Sequence, residues 1–266
     1  MLRKDGHIGL TCVVIDLREL SRDLAAALAR EQVFAMFQPQ FEMQSGDIVA
    51  VEALARWRHP VHGLIAPEVF IPLAEANGVI HELGRFMLRA SLSAVDAWQD
   101  AGSCIEVSVN VSPAQLNDPG FFDLLTDALA CRSMPAHALT IEITESLPIT
   151  DFDVVVPRLE RVRAMGLGLS LDDFGTGYAS ADQLDRLPVT ELKIDKTLIQ
   201  SGDERVTSEA LVTVAHAHES GLRVVAEGIE TNAHLDVARS LGCDRAQGYL
   251  LARPMVRSAV DLLVAA

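Results

Sequence analysis

The sequence contains no run of about 20 apolar residues, the length that a helix needs to cross a membrane. A weakly apolar stretch at residues 8–15 follows Arg3 and Lys4, but it lacks the small-residue cleavage site of a secretory signal. We therefore expect no membrane segment and no export signal, and we expect the chain to act in the cytoplasm.

Closely spaced cysteines are also missing. Cys12, Cys104, Cys131 and Cys243 lie far apart and form no Cys-x-x-Cys pair, whereas zinc sites and disulfide frameworks show tighter spacing. The eight histidines are scattered along the chain. These patterns indicate reduced thiols and structural histidines, and they argue against a metal site built from Cys and His.

Basic residues are few. Lys and Arg total 22 against 37 Asp and Glu, which gives a net charge of −15. Because nucleic-acid binding needs clustered Lys and Arg, we expect no duplex nucleic acid as a partner. An acidic protein with an anionic substrate would need a metal ion or a local cation to make the electrostatic potential at its binding site positive.

What the sequence does contain is a regular succession of strand and helix patterns. An amphipathic helix is predicted at residues 18–30, followed by a hairpin of strands at 33–41 and 48–57. After the hairpin come short strand-like segments in which apolar and polar residues alternate, and helical patterns lie between these segments. The later helices are predicted at 81–100, 121–131, 152–165, 206–219 and 231–241.

Strands that alternate with helices imply a parallel sheet. Seven or eight such strands close most simply into a TIM-like barrel, and an open doubly wound sheet is the alternative. The opening hairpin departs from a regular barrel. We assign residues 1–17 to an N-terminal extension or linker and residues 18–266 to the barrel.

Seven strand-like segments carry polar side chains that could bind a metal or handle a proton. Strand interiors favour apolar side chains, and buried carboxylates are costly unless they are paired or bound to metal. The carboxyl ends of barrel strands share one mouth, so we expect these side chains to meet there. They are Glu52, Asn110, Glu142, Asp172, Asp173, Lys193, Glu227 and Gln247.

Oxygen ligands without His or Cys favour Mg²⁺ or Mn²⁺. Two such ions can activate water and stabilise the leaving oxygen of a phosphoryl transfer. Lys193 could hold the attacking water, and the fork of Arg56 suits a phosphate or a guanine edge. The chemistry indicates metal-assisted phosphoester hydrolysis. Barrels that abstract a proton beside a carboxylate are the other class, but only 51 residues precede Glu52, too few for their capping domain.

Residues 51–57, Val-Glu-Ala-Leu-Ala-Arg-Trp, resemble the signature that names the EAL domain family. The resemblance covers about residues 18–258 in unbroken order. It implies a modified TIM (β/α)8 barrel of the α/β class with an antiparallel first strand, which would account for the hairpin. Further similar motifs lie at 37–39, 70–75, 107–112, 142–146, 172–178, 192–195, 226–231 and 247–250.

The resemblance also implies roles for individual residues. The implied metal ligands are Glu52, Asn110, Glu142, Asp172, Asp173 and Glu227. The implied catalytic residues are Glu52, Asp173, Lys193, Glu227 and Gln247. The implied substrate contacts are Gln38, Leu54, Arg56, Asn110 and Glu230. Glu145 is implied to anchor the Asp-Asp-Phe-Gly loop.

The family consists of phosphodiesterases specific for cyclic di-GMP, so the resemblance implies two Mg²⁺ or Mn²⁺ ions per active site. Water would open the ring at one phosphodiester and release linear pGpG. The alternative is a receptor that binds cyclic di-GMP in the same pocket without cleaving it, which would not need Glu52, Asp172 or Lys193. The resemblance also suggests a homodimer formed through helices near the Asp-Asp loop.

Overall fold

Nine strands form one sheet in the computed structural model, which describes residues 17–130, 132, 134–144, 152–175 and 184–264. The predicted extension therefore lies outside the described residues, apart from Leu17. The strands are β1 (Val33–Glu42), β2 (Ile48–His59), β3 (Gly63–Ile65), β4 (Glu106–Asn110), β5 (Leu139–Thr144), β6 (Gly168–Phe174), β7 (Glu191–Ile194), β8 (Arg223–Ala226) and β9 (Arg245–Ala246).

The helices bury apolar faces in the core around this sheet, as α3 does with Leu88, Leu92 and Val95. The described helices are α1 (Leu17–Ala27), α2 (Pro67–Ala76), α3 (Ile80–Asp100), α4 (Pro113–Leu116), α5 (Pro119–Ala130), α6 (Phe152–Ala164), α7 (Lys196–Gln200), α8 (Glu204–Glu219), α9 (Asn232–Leu241) and α10 (Arg257–Val264). None of them is long and apolar enough to span a membrane.

The five later helices that the sequence predicts are confirmed with shifts of at most two residues at either end. The prediction for the first helix is too long. It ends at Ala27, because the following residues form a turn in which Glu31 has a φ of 54°. That left-handed conformation cannot continue a right-handed helix.

The sheet closes into a barrel through β1, which pairs with both β2 and β9. Both of these pairings are antiparallel, whereas the pairings from β2 through β4 to β9 are all parallel. The short β3 adds only to β2, outside the barrel. The predicted barrel with an antiparallel first strand is confirmed, and the open doubly wound sheet is wrong.

Four charged residues pair with one another at the end of the barrel where the parallel strands begin. Glu106, Glu191, Arg223 and Arg245 are the first residues of β4, β7, β8 and β9. Arg245 lies 2.8 Å from Glu106, and Arg223 lies 2.7 Å from Glu191. We call these four residues the basal ion cluster; it lies at the end of the barrel opposite the carboxyl ends of the parallel strands.

Candidate active site

The predicted site residues meet where the parallel strands end. Asn110 is the last residue of β4, Lys193 is the third of four residues in β7, and Glu227 and Gln247 directly follow β8 and β9. Glu52 does not end its strand, because β2 continues past its pairing with β4 and pairs with β1 and β3. The barrel mouth therefore lies beside the middle of β2.

Lys193 is the centre of the site. Its side chain is fully buried, and its Nζ lies 2.8 Å from Glu227 Oε1 and 3.0 Å from Asp172 Oδ1. Oxygens of Glu52 and Glu142 lie 3.3 Å away. Four carboxylates from four different strands or strand ends thus surround the ammonium group of Lys193 inside the barrel.

Two amide side chains hold the carboxylates in place. Asn110 Nδ2 donates to Glu52 Oε1 at 2.9 Å and to Glu142 Oε2 at 3.1 Å. Gln247 Nε2 donates to Glu52 Oε2 at 2.7 Å and to Gln38 Oε1 at 3.2 Å. Both oxygens of Glu52 are therefore engaged by amide donors, which orients this carboxylate firmly.

The site carries more negative charge than its lysine can balance. Full ionisation of its five carboxylates would leave four uncompensated charges. Burial raises the pKa of Glu142 well above its ordinary value, and the charge of Glu52 adds to the rise. Burial raises the pKa of Glu227 to about 8, with Asp172 as the second cause. Burial and Asp172 raise the pKa of Asp173 to about 6.

Glu52 and Lys193 behave differently from their neighbours. Burial opposes the ionisation of Glu52, but Lys193 and the amides of Gln247 and Asn110 outweigh it and lower the pKa of Glu52. Burial also favours the neutral amine of Lys193, yet the four carboxylates around it raise its pKa well above the ordinary value. Glu52 and Lys193 therefore form a charged pair at neutral pH.

The carboxylates fit a pair of hard cations. Glu52, Glu142 and Asp172 offer oxygens within 4.8 Å of one another, and so do Asp172, Asp173 and Glu227. Asp172 belongs to both groups. Oε1 of the buried Gln247 amide has no hydrogen-bond partner among the described residues, and Oε1 of Glu142 has an ion-pair contact of 3.3 Å with Lys193 Nζ. Such a set of oxygen acceptors suits Mg²⁺ or Mn²⁺.

The second of the two adjacent aspartates has an unusual backbone conformation. Asp173 has a φ of 59°, and its N–H donates to Asp172 Oδ1 at 3.0 Å. Gly175 follows with a φ of 106°, which glycine adopts without steric cost. A left-handed non-glycine residue is typical of a strained functional turn. Residues 176–183 and the predicted anchor Glu145 lie outside the described residues.

A cavity of about 700 Å³ opens beside the carboxylates and includes Leu54 and Arg56 in its lining. Gln38 is buried in the hydrogen-bond network and is not part of that lining. Glu230 is exposed beside the fully buried Ile229 and does not line the cavity. The structure therefore brings three of the five predicted substrate contacts, Leu54, Arg56 and Asn110, to the cavity, and it leaves Gln38 and Glu230 outside the lining.

Part of the cavity wall was not predicted from the sequence. Glu68 and Glu75 line it from one face of α2, and Gly84 and Gln115 line it from α3 and α4. Two local signals could have found some of them. The spacing of Glu68 and Glu75 places both on one helix face, and Ser112 followed three residues later by Gln115 matches a capping box.

Comparisons with known proteins identify a family and relatives for this chain. The EAL domain family model matches residues 21–254. The chain is 41% identical over 240 residues to a bifunctional diguanylate cyclase/cyclic di-GMP phosphodiesterase, MucR of Pseudomonas aeruginosa, and the match covers 89% of this chain and 35% of MucR. It is 37% identical over 246 residues to the cyclic di-GMP phosphodiesterase NbdA of the same organism, covering 91% of this chain and 31% of NbdA.

The chain thus spans about a third of the length of these curated relatives. Its fold is similar to the solved structure of the PaMucR phosphodiesterase in complex with c-di-GMP. That comparison has a TM-score of 0.86 and 40% identity, and it covers 91% of this chain and 99% of the other. A structure of the EAL enzyme Bd1971 with cAMP and cyclic-di-GMP bound gives a TM-score of 0.88 at 26% identity, covering 94% of this chain and 69% of the other.

Proposed function

Because this chain belongs to the EAL domain family, we propose that it is a cyclic di-GMP phosphodiesterase that uses two divalent cations, Mg²⁺ or Mn²⁺. The observation that carries the proposal is the convergence of five carboxylates and two amides around one buried lysine at the barrel mouth. The names of MucR and NbdA and the ligand of the PaMucR structure support the choice of substrate.

The donor groups divide into two sets that share one aspartate. Glu52, Asn110, Glu142 and Asp172 would hold the first cation, and Asp172, Asp173 and Glu227 the second. The amide nitrogen of Asn110 is already engaged by two glutamates, so its carbonyl oxygen is the atom left for a ligand. When bound, the cations would supply electrophilic activation of water and of a phosphate oxygen. They would also offset the negative charge of the carboxylates that Lys193 does not balance.

The chain's own residues then position the reactants. Lys193 offsets charge on the phosphate and holds the attacking water, while Gln247 fixes Glu52. Arg56, in the cavity wall, suits a phosphate oxygen or a guanine edge. The water oxygen bonds to phosphorus as one ester bond breaks, and a proton passes to the leaving ribose oxygen. The product is linear pGpG.

Turnover of cyclic di-GMP tests this proposal. The purified protein is expected to release pGpG, separated by liquid chromatography, with Mg²⁺ or Mn²⁺ but not with excess EDTA. Ca²⁺ is expected to support binding with poor turnover, because it accepts longer and looser coordination. Glu52→Ala is expected to abolish hydrolysis and keep the circular dichroism spectrum, whereas Glu209→Ala, on the exposed surface of α8, is the control. Full activity of Glu52→Ala would contradict the assignment of Glu52 as a ligand.

Binding of cyclic di-GMP without pGpG release under any of these ions would support the receptor alternative instead. Two further predictions accompany the proposal. The homodimer is tested by light scattering on the purified protein with and without cyclic di-GMP. The cytoplasmic location is tested by fractionation of the cells that produce the protein.

A further inference from the structure

One wall of the cavity lies between α2, α3 and α4 and carries a group of apolar side chains beside Glu68 and Glu75 of α2. Its lining includes Ile71, Pro72, Ile80, Leu83 and Met87, and we call this part of the cavity the side lobe. Apolar side chains of this kind suit the two faces of a planar base, whose edge must then be read by polar groups. The phosphates of a dinucleotide would be held at the other end, beside the carboxylates.

Gln115 is a buried polar side chain in this lobe, with 4% of its surface exposed. The N–H of Ser112 donates to Gln115 Oε1 at 3.1 Å, and the N–H of Gln115 donates to Ser112 Oγ at 3.4 Å. This capping box of α4 engages the carbonyl oxygen of the side chain. No hydrogen bond from Nε2 is found within the described part of the chain, and Gln115 is one of the residues that line the cavity.

Gly84 makes room for this amide. A Cβ built at Gly84 would lie 1.8 Å from Nε2 and 2.9 Å from Cδ of Gln115. Glycine is unfavourable inside a helix, and α3 nevertheless has it at the point where the Gln115 amide approaches. Any larger residue at this position would push the amide out of the orientation that the capping box imposes.

We infer that Gln115 selects a guanine base in the side lobe by donating a hydrogen bond from Nε2 to O6 of the base. This assignment rests on the proposed cyclic di-GMP substrate. Guanine presents an acceptor at O6, whereas adenine presents an amino donor at the corresponding position. An amide N–H held in one orientation donates to guanine O6. It faces the amino group of adenine, another donor, so that both buried groups are left without a hydrogen-bond partner.

The substitution Gln115→Glu separates this role from the structural one. Glutamate also forms a capping box with a serine three residues before it, so α4 keeps its cap while the donor becomes an acceptor. Gln44→Glu adds the same charge in the exposed turn between β1 and β2 and is the matched control. The readouts are the KM for cyclic di-GMP and the inhibition constant of cyclic di-AMP. Both dinucleotides carry the same phosphates, so the added charge cancels in the ratio of the two constants.

Gln115→Glu is expected to lower the preference for the guanine dinucleotide by about 10- to 100-fold, through a higher KM for cyclic di-GMP. Gln44→Glu is expected to keep the wild-type ratio. An unchanged ratio in Gln115→Glu would overturn the assignment, because the cap survives in that variant and only the donor is lost.

Gly84→Ala provides a second, independent test. Its Cβ is expected to displace the Gln115 amide and lower the same ratio, while the melting temperature stays near the wild-type value. A wild-type ratio in this variant would also count against Gln115. If the wild-type protein shows no turnover, the proposed function fails, and calorimetric titration with the two dinucleotides tests the assignment directly. In that titration, a preference of the wild-type protein for cyclic di-GMP that decreases in Gln115→Glu supports the assignment of Gln115. A wild-type protein that shows no such preference, or binds neither dinucleotide, overturns the assignment.

Discussion

Replacing Lys193 with methionine tests whether one buried ammonium group holds the carboxylates of the site together. Its Nζ lies 2.8–3.3 Å from four carboxylates, and its side chain has no exposed surface. Methionine has a similar volume but leaves the buried charges without their counter-ion. Removing one partner of a buried ion pair costs about 3–5 kcal/mol, and we expect the metal-free variant to lose that much free energy of unfolding.

This loss should be visible in thermal melting. An unfolding entropy of about 2.1 cal/mol/K per residue over 266 residues converts the loss into a decrease of about 5–9 °C in Tm. The measurement is differential scanning calorimetry in excess EDTA at neutral pH. The matched control is Lys196→Met, because Lys196 is exposed and forms no ion pair among the described residues. A surface change of that kind should shift Tm by no more than about 1 °C.

A divalent cation should reduce the difference between the Lys193→Met variant and the wild type, since it supplies positive charge to the same carboxylates. If Lys193→Met melts in EDTA at the same temperature as its control, Lys193 does not neutralise these carboxylates in the folded protein. Turnover is measured on the same samples. An unchanged rate would remove Lys193 from the role of holding the attacking water.

Three further outcomes can be checked with simple variants or labelling. Gly248→Ala is expected to destabilise the fold by about 1–3 kcal/mol, because the added Cβ would lie 2.2 Å from the backbone nitrogen of Ile229; a wild-type Tm would contradict this packing. Burial raises the pKa of the Cys243 thiol to about 12. Alkylation at pH 8 should therefore label the exposed Cys104 and leave Cys243 unlabelled until the protein unfolds, and peptide mass spectrometry measures the labelling. Arg245→Leu should cost about 3–5 kcal/mol of stability and preserve kcat, because the basal ion cluster lies at the other end of the barrel; an equally severe loss of turnover would argue against that separation.

Local sequence patterns predicted the elements of the fold well where the side-chain period alone decides them. The helix expected at residues 81–100 is α3 (Ile80–Asp100), and the expected hairpin is β1 and β2. These predictions succeed because the periods of 3.6 and 2 are properties of neighbouring residues. The first helix was overestimated, because its end depends on the left-handed backbone of Glu31 rather than on a period.

The candidate site was only partly predictable. Carboxylates, amides and a lysine on strand segments indicated a metal site, and the resemblance to a family named their roles. Glu230 belongs to a family-like motif but is exposed outside the cavity. Gln115 and Gly84, which meet inside the cavity, belong to different helices that sequence spacing cannot bring together.

The amino-acid sequence by itself determined the order of strands and helices and the set of oxygen donors, because both depend on residue type and local period. The tertiary structure decided that Lys193 meets Glu52, 141 residues away, and that Glu52 lies within β2 and not at its end. It also decided that β1 pairs with both β2 and β9 and closes the barrel. These contacts exist only when distant strands pair around a common axis, so no local pattern along the chain could specify them.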